Sequence, residues 1–411
     1  MQSLFFCGTM CSMVKTREIY YEDAYTAEFD ATVLECSARD KGGFSVVLDA
    51  TAFFPEQGGQ SSDLGLLRDS TGREISVSHV SIRDGIISHI TEEEIPEGSA
   101  VHGVIDWEHR FSNMQQHTGE HIFSGIVNSR FGYDNVGFHL SDSEVTMDYS
   151  GVISDEDIRD IEFAVNRAIW ENVVVRCEFP SEKELESIDY RSKKELSGQI
   201  RIVTVEDYDV CACCAPHVNR TGEIGILKVV SCQNYKGGVR VSILCGKRAL
   251  KYLDGCQKLV SDLTGFFTTS GDKVLDSVIR QKDEIFELKG RLSAATEKLL
   301  KYEIDELAAE ESRPGVFLLR EDALDGNEMR KVANALTERF TGISGVFVSA
   351  GGNSFRYILA SGSDGRNAKD LQQRLFDKYG AKGGGSPQMV QGSLSCDRIT
   401  EVISFLEEGS V

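Results

Sequence analysis

The chain is short of positive charge. Its 44 Lys and Arg stand against 65 Asp and Glu, a formal net charge of -21. That balance excludes nucleic-acid binding by bulk electrostatics, so any contact with a phosphate backbone has to rest on local basic patches. Also missing is an apolar run long enough to span a bilayer. The first 14 residues are apolar, but they are too short for a span and lack the basic flank and cleavage site of a secretory signal. Residues 1–15 read as a disordered leader, with Met13 as an alternative start of synthesis, and the protein is expected in the cytoplasm. Internal repeats and long low-complexity tracts are absent. An even disulfide framework is absent too: the 11 cysteines are odd in number, and Cys211, Cys213, Cys214 and Cys232 crowd one stretch. Clustering beside a histidine points to metal binding in a reducing compartment.

What is present is enough apolar sequence for several cores. At 411 residues, 41% hydrophobic and 27% charged, roughly two to four domains are expected, none needing a disulfide. Residues 16–105 carry short alternating runs (31–34, 44–48, 74–78) separated by glycine turns, which predicts a small antiparallel β-barrel. Residues 106–250 predict an α+β domain. A helix over 106–128 gives way to a second over 155–171 that opens on acidic residues, and strands follow near 173–177, 200–205, 226–231 and 239–245. Over 251–313 the pattern is helical. Val274, Val278, Ile285, Leu288, Leu292, Ala295, Leu299 and Tyr302 fall on heptad positions interrupted only by Gln281. That series fits either a coiled coil or an amphipathic helix lying on its own domain, stopped by Arg313 and Pro314. Residues 314–411 predict a separate small α/β domain with a glycine-rich loop at Gly383, Gly384 and Gly385.

Two short motifs carry chemistry. His117 and His121 sit at i and i+4 of a predicted helix, on one face and about 6 Å apart, a spacing that chelates one ion. Cys213 and His217 offer a thiolate and an imidazole within one loop. Imidazole with thiolate suits tetrahedral zinc and disfavours magnesium or calcium. A rival reading takes His117-x-x-Glu120-His121 as an inverted zinc-protease motif with Glu120 as base. That reading leaves Cys213 and His217 without a purpose and needs a further acidic ligand that the sequence does not offer.

Taken in order, several segments resemble the editing domain of alanyl-tRNA synthetase and its free-standing AlaX-type relatives. They are Thr51-Ala52-Phe53-Phe54-Pro55-Glu56-Gln57-Gly58-Gly59-Gln60 with Asp63 and Gly65, then the His117/His121 helix. Cys213-x-x-x-His217, Thr221-Gly222-Glu223-Ile224-Gly225 and Gly237-Gly238-Val239-Arg240 follow. The resemblance covers roughly residues 16–250. It departs where the family has Cys-Gly-Gly-Thr-His and this chain has Cys213-Cys214-Ala215-Pro216-His217. Both ligands survive, while the loop shape and competition from Cys211 or Cys214 come into question. Gly351-Gly352-Asn353-Ser354 and the run from Lys382 to Gly392 resemble the C-terminal domain of alanyl-tRNA synthetase, a module also found beside DHH phosphoesterases (DHHA1-like).

Editing domain, helical linker and C-terminal module together resemble the long form of AlaX. The resemblance implies a zinc-containing hydrolase that deacylates mischarged tRNA(Ala) in trans, chiefly Ser-tRNA(Ala) and also Gly-tRNA(Ala). It implies no use of ATP, since no aminoacylation domain fits before residue 16. The zinc ligands it implies are His117, His121, Cys213 and His217; four protein ligands saturate the ion, so water activation and pocket organisation both stay open. Thr51 is expected to recognise a seryl hydroxyl, Gln60 to contact the ester and amino groups, and Glu120 to be a general base or a solvated helix residue. Gly383, Gly384, Gly385, Lys378 and Lys382 are expected to touch tRNA, and the C-terminal region to form a homodimer. A zinc-stabilised tRNA-binding protein without turnover is the non-enzymatic alternative.

Overall fold

The computed structural model describes residues 15–192, 199–310, 314–320 and 324–409. Residues 1–14 of the expected leader (1–15) and the helix stop at Arg313 lie outside the described residues. The chain falls into two compact units, Met1–Leu263 and Thr264–Val411.

In the first unit, alternation closes a barrel. Strand β1 (Glu28–Ala38) buries Phe29, Ala31 and Val33 and turns the residues between them outward, the period of a half-buried strand. With β2 (Phe44–Leu48), β3 (Gly65–Asp69), β4 (Glu74–Arg83), β5 (Ile86–Thr91) and β6 (Ala100–Ile105) it forms a closed barrel in the order β1-β2-β5-β4-β3-β6. Every pairing is antiparallel, and Val46, Leu48, Phe53, Phe54, Leu67 and Val80 fill the centre.

Helix α1 (Trp107–Phe131) follows directly. Asp106 caps its first turn by accepting from the His109 amide, and Gly132 ends it in the left-handed region at φ 68. After α1 comes a hairpin, β7 (Asn135–Leu140) and β8 (Val145–Tyr149), that the residue pattern does not announce, because β7 shows no clean alternation. Helix α2 (Asp155–Glu171) starts at a Ser154 cap. Strands β9 (Val175–Glu178), β10 (Ile202–Val205) and β11 (Asp209–Ala212) form a three-stranded sheet. Strands β12 (Leu227–Tyr235) and β13 (Gly238–Cys245) join the hairpin in a second sheet, ordered β12-β13-β8-β7. Residues of α1, α2 and both sheets share one core.

A buried ion pair ties α1 to the barrel. Arg110 and Asp63 are both fully buried; Arg110 also donates to the carbonyls of Ala24 and Ala52, and Asp63 accepts from the Phe54 amide. Helix α3 (Gly246–Phe267) follows β13.

The second unit contains the 37-residue helix α4 (Val274–Glu310). Its sheet joins β14 (Phe317–Arg320), β15 (Ile343–Gly351), β16 (Ser354–Ser361), β17 (Lys382–Gly385) and β18 (Met389–Ser395) in the order β14-β15-β16-β18-β17. Helices α5 (Gly326–Arg339), α6 (Ala368–Tyr379) and α7 (Ile399–Gly409) accompany it. Two expectations are corrected here. The sheet is mixed and mostly antiparallel, because only β14 and β15 run parallel. The glycine segment 383–385 is an edge strand rather than a loop: a Cβ on Gly383 or Gly385 would lie 2.4 or 2.2 Å from a carbonyl oxygen of β18, so only glycine lets the two backbones pair so closely. On α4, Leu300, Ile304 and Leu307 pack on the core beside α5, while the heptad residues Ile285, Leu288, Leu292, Leu299 and Tyr302 stay exposed. No helix among the described residues is long and apolar enough to cross a membrane.

Candidate metal centre

The four expected ligands come from two distant segments that fold onto one point. His117 and His121 share a face of α1, and Cys213 and His217 lie in the loop after β11. One ligand atom from each of the four lies within 4.8 Å of every other, and the three histidines are almost fully buried. These residues could hold a metal ion.

The hydrogen bonds around them decide which nitrogens face inward. His117 donates from Nδ1 to Gln60 Oε1 at 2.7 Å, and His121 from Nδ1 to Asp209 Oδ2 at 2.9 Å. Thr118 gives its hydroxyl proton to the Met114 carbonyl, so its oxygen accepts from His217 Nδ1 at 3.0 Å. Each ring is thus held through Nδ1, which leaves Nε2 unprotonated for an ion. The Nε2 atoms of His117 and His217 lie 3.5 and 3.4 Å from Cys213 Sγ. A tetrahedral zinc with ordinary bond lengths would place such a nitrogen and sulfur about 3.6 Å apart, so the donors fit zinc in type, number and spacing.

Asp209 is itself held by Arg191, Nε to Oδ1 at 2.7 Å. Burial opposes a proton on His121, but the hydrogen bond to Asp209 and nearby negative groups outweigh it and hold the imidazole above its usual range. Cys211, Asp209 and His121 also form a compact buried group, whereas Cys214 joins neither cluster and lines the pocket instead.

A cavity of about 540 Å³ opens onto the centre, lined by His117, His121, Cys213, Cys214, Phe138 and Arg201 among others. Gly58 and Gly59 form part of its wall, at φ 64 and φ 85. A Cβ on Gly59 would meet the Phe138 carbonyl oxygen at 2.6 Å, so the glycine pair is what lets this segment lie against β7. Arg201 donates to the carbonyls of Cys213 and Ala215 and pins the ligand loop that carries Pro216.

The other expected site residues take different places. Gln60 is buried and holds His117; its amide nitrogen has no partner among the described residues. Thr51 sits in the barrel core, donating to His89 Nε2 at 2.8 Å and accepting from the Phe53 amide, and is not part of the cavity lining. Glu120 is fully buried instead of solvated: it accepts from Ser124 and Asn135 on the hairpin side of α1, outside the cavity lining, which leaves the protease reading without an accessible base. Lys378 and Lys382 are exposed in the second unit, with the Lys378 ammonium 3.9 Å from the Phe405 ring centroid. Asp209, Arg191, Thr118 and Arg201 were not anticipated, because nothing local in sequence marks a residue that acts by holding another.

Residues 10–109 match the model for tRNA synthetases class II (A), and residues 200–242 match the threonyl and alanyl tRNA synthetase second additional domain. The alanyl-tRNA editing protein AlaX-L of Pyrococcus horikoshii is 30% identical over 391 residues, covering 91% of this chain and 93% of that protein. The chain belongs to the AlaX-L family of alanyl-tRNA editing proteins. The alanine–tRNA ligase of Pyrococcus furiosus is 31% identical over 397 residues, which cover 92% of this chain and 42% of the ligase. This family member therefore spans well under half the length of the ligases it matches. The C-Ala domain of Aquifex aeolicus alanyl-tRNA synthetase overlaps 24% of this chain at 23% identity, with a TM-score of 0.21, too slight a likeness to fix the fold of the second unit.

Proposed function

We propose that this chain hydrolyses the ester joining a wrong amino acid to tRNA(Ala), with Ser-tRNA(Ala) as chief substrate and Gly-tRNA(Ala) as a second, at a zinc held by His117, His121, Cys213 and His217. The observation that carries the reading is the convergence of three Nδ1-anchored imidazoles and one thiolate, with His117, His121 and Cys213 lining a substrate-sized cavity, in a member of an editing family. Zinc bound there supplies a Lewis acid that polarises an ester carbonyl or acidifies a water.

The protein's own groups do the rest. Gln60, buried and outside the cavity lining, fixes the His117 ring through its amide oxygen. Phe138, 4.7 Å from the His117 ring, screens the centre from water. Lys378, Lys382 and the open edge of β17 (Gly383, Gly384, Gly385) supply local contacts for tRNA phosphates in an otherwise acidic chain. The exposed heptad seam of α4 fits a second copy of the chain as a homodimer in the cytoplasm.

The test is deacylation of Ser-tRNA(Ala), Gly-tRNA(Ala) and Ala-tRNA(Ala) with and without a chelator. Loss of the seryl ester well ahead of the alanyl ester, abolished by the chelator, is the expected outcome. Binding of tRNA without turnover, or cleavage of casein, would overturn the reading.

A further inference from the structure

The cavity is larger than the reacting ester requires. At about 540 Å³ it falls in the range that buries most of a nucleoside-sized ligand, whereas a seryl group fills only the part beside the metal ligands. Two aromatic residues far apart in the sequence are also among its lining. Tyr21 comes from a short helical turn before the barrel, and Phe179 follows directly after β9. Their rings meet edge to face, with centroids 5.3 Å apart and planes at 85°.

Phe179 is 40% exposed and lines the cavity. Its ring is open to the cavity and is not part of the buried core. The Tyr21 ring takes the Arg201 guanidinium at 5.5 Å, and the same guanidinium donates to the carbonyls of Cys213 and Ala215 at 3.1 and 2.8 Å. One buried cation therefore fixes the aromatic pair in relation to the metal-ligand loop.

We propose that Phe179, buttressed by Tyr21, is the stacking platform for the base of the substrate's terminal nucleoside. This proposal rests on the ester-hydrolase reading, because an ester on a terminal ribose brings a base into the same cavity as the metal centre. Stacking on an aromatic face tolerates any base, since each has a π-face, and is strong enough to change affinity by about tenfold or more. Because the contact is remote from the reacting bond and equal in ground and transition states, it acts on KM and leaves kcat alone.

The experiment uses the full chain and two probes. One is Ser-tRNA(Ala); the other is a non-hydrolysable amide, 3′-serylamino-3′-deoxyadenosine. Phe179→Ala is expected to raise KM for Ser-tRNA(Ala) and Kd for the amide about tenfold, with kcat, zinc content and hydrolysis of serine ethyl ester unchanged. Phe179→Tyr is expected to restore both constants, which a merely structural role would not require. An unchanged Kd for the amide in Phe179→Ala, or an equal loss on the base-free ethyl ester, would overturn the platform. A wild-type chain that fails to bind the amide would overturn it as well. Amide binding that depends on Phe179, without hydrolysis of Ser-tRNA(Ala), would instead support the platform and overturn the hydrolase reading.

Discussion

The two long helices α1 and α4 invert the ordinary rule of burial in opposite ways. On α1 the polar residues are inside: Arg110, Asn113, Gln116, His117, Thr118, Glu120, His121 and Ser124 are all buried. On α4 the apolar residues are outside: Leu275, Phe286, Leu292, Leu299 and Tyr302 are each more than three-fifths exposed. A buried polar group is tolerable only when it is paired, and on α1 Arg110 pairs with Asp63, Gln116 with Cys245, His117 with Gln60, His121 with Asp209, and Thr118 with His217 of the ligand loop. An exposed apolar seam has no such internal remedy; it calls for a partner. The first inversion surrounds the candidate metal centre, and the second leaves on α4 the apolar surface that the proposed homodimer would cover.

The largest effect expected from breaking this contrast is at Arg110. Replacing it by Ala leaves Asp63 buried without its counter-charge, which costs about 3–5 kcal/mol. Urea unfolding of the full chain should show the first unit's unfolding free energy lowered by that amount, with its midpoint at lower urea.

His89 sharpens the same point in the barrel. Burial pushes its imidazole down to about 4, and it sits neutral, donating to the Val46 carbonyl and accepting from Thr51. Because the folded value is depressed, the unfolded chain binds a proton first as pH falls. The contribution is therefore complete above about pH 6.5 and is lost between there and about pH 4, on the order of 3 kcal/mol in all. The thermal midpoint of the first unit should fall across that window, and His89→Gln should flatten that part of the profile.

Asp209 tests the pairing rule at the metal centre. Asp209→Ala is expected to weaken zinc about ten- to a hundredfold, read by competition with a chromophoric chelator, and Asp209→Asn to weaken it less. The smallest effect on fold stability belongs to α4. Leu288→Gln with Leu292→Gln should change the unfolding free energy by less than about 0.5 kcal/mol while dissociating the proposed homodimer in sedimentation velocity. A large loss of stability would mean that the seam packs within its own chain.

What could be read from the residues alone follows the same division. Helix α2 was legible end to end, since Ser154, the acidic first turn and the buried stripe Ile158, Ile161, Val165 are all local signals. His117, His121, Cys213 and His217 were legible because ligand chemistry restricts the residue types. Asp209 and Arg191 were not, because β-strand pairing brings them together: the chain at Arg191 bridges to Cys211 and donates from its amide to the Val210 carbonyl. The hairpin β7–β8 was hidden by its lack of alternation, and the wall formed by Tyr21 and Phe179 by the distance between them in sequence. The glycines at 383–385 read as a loop because glycine marks turns and close backbone pairing alike.

The central claim is a single zinc held by three imidazoles and one thiolate. X-ray absorption at the zinc edge of the full chain tests it most directly. The account predicts one zinc per chain, with three nitrogens at about 2.0–2.1 Å and one sulfur at about 2.3 Å. A shell with two or more sulfurs, bringing in Cys211 or Cys214, or a chain purified without zinc and unable to take it up, would contradict it.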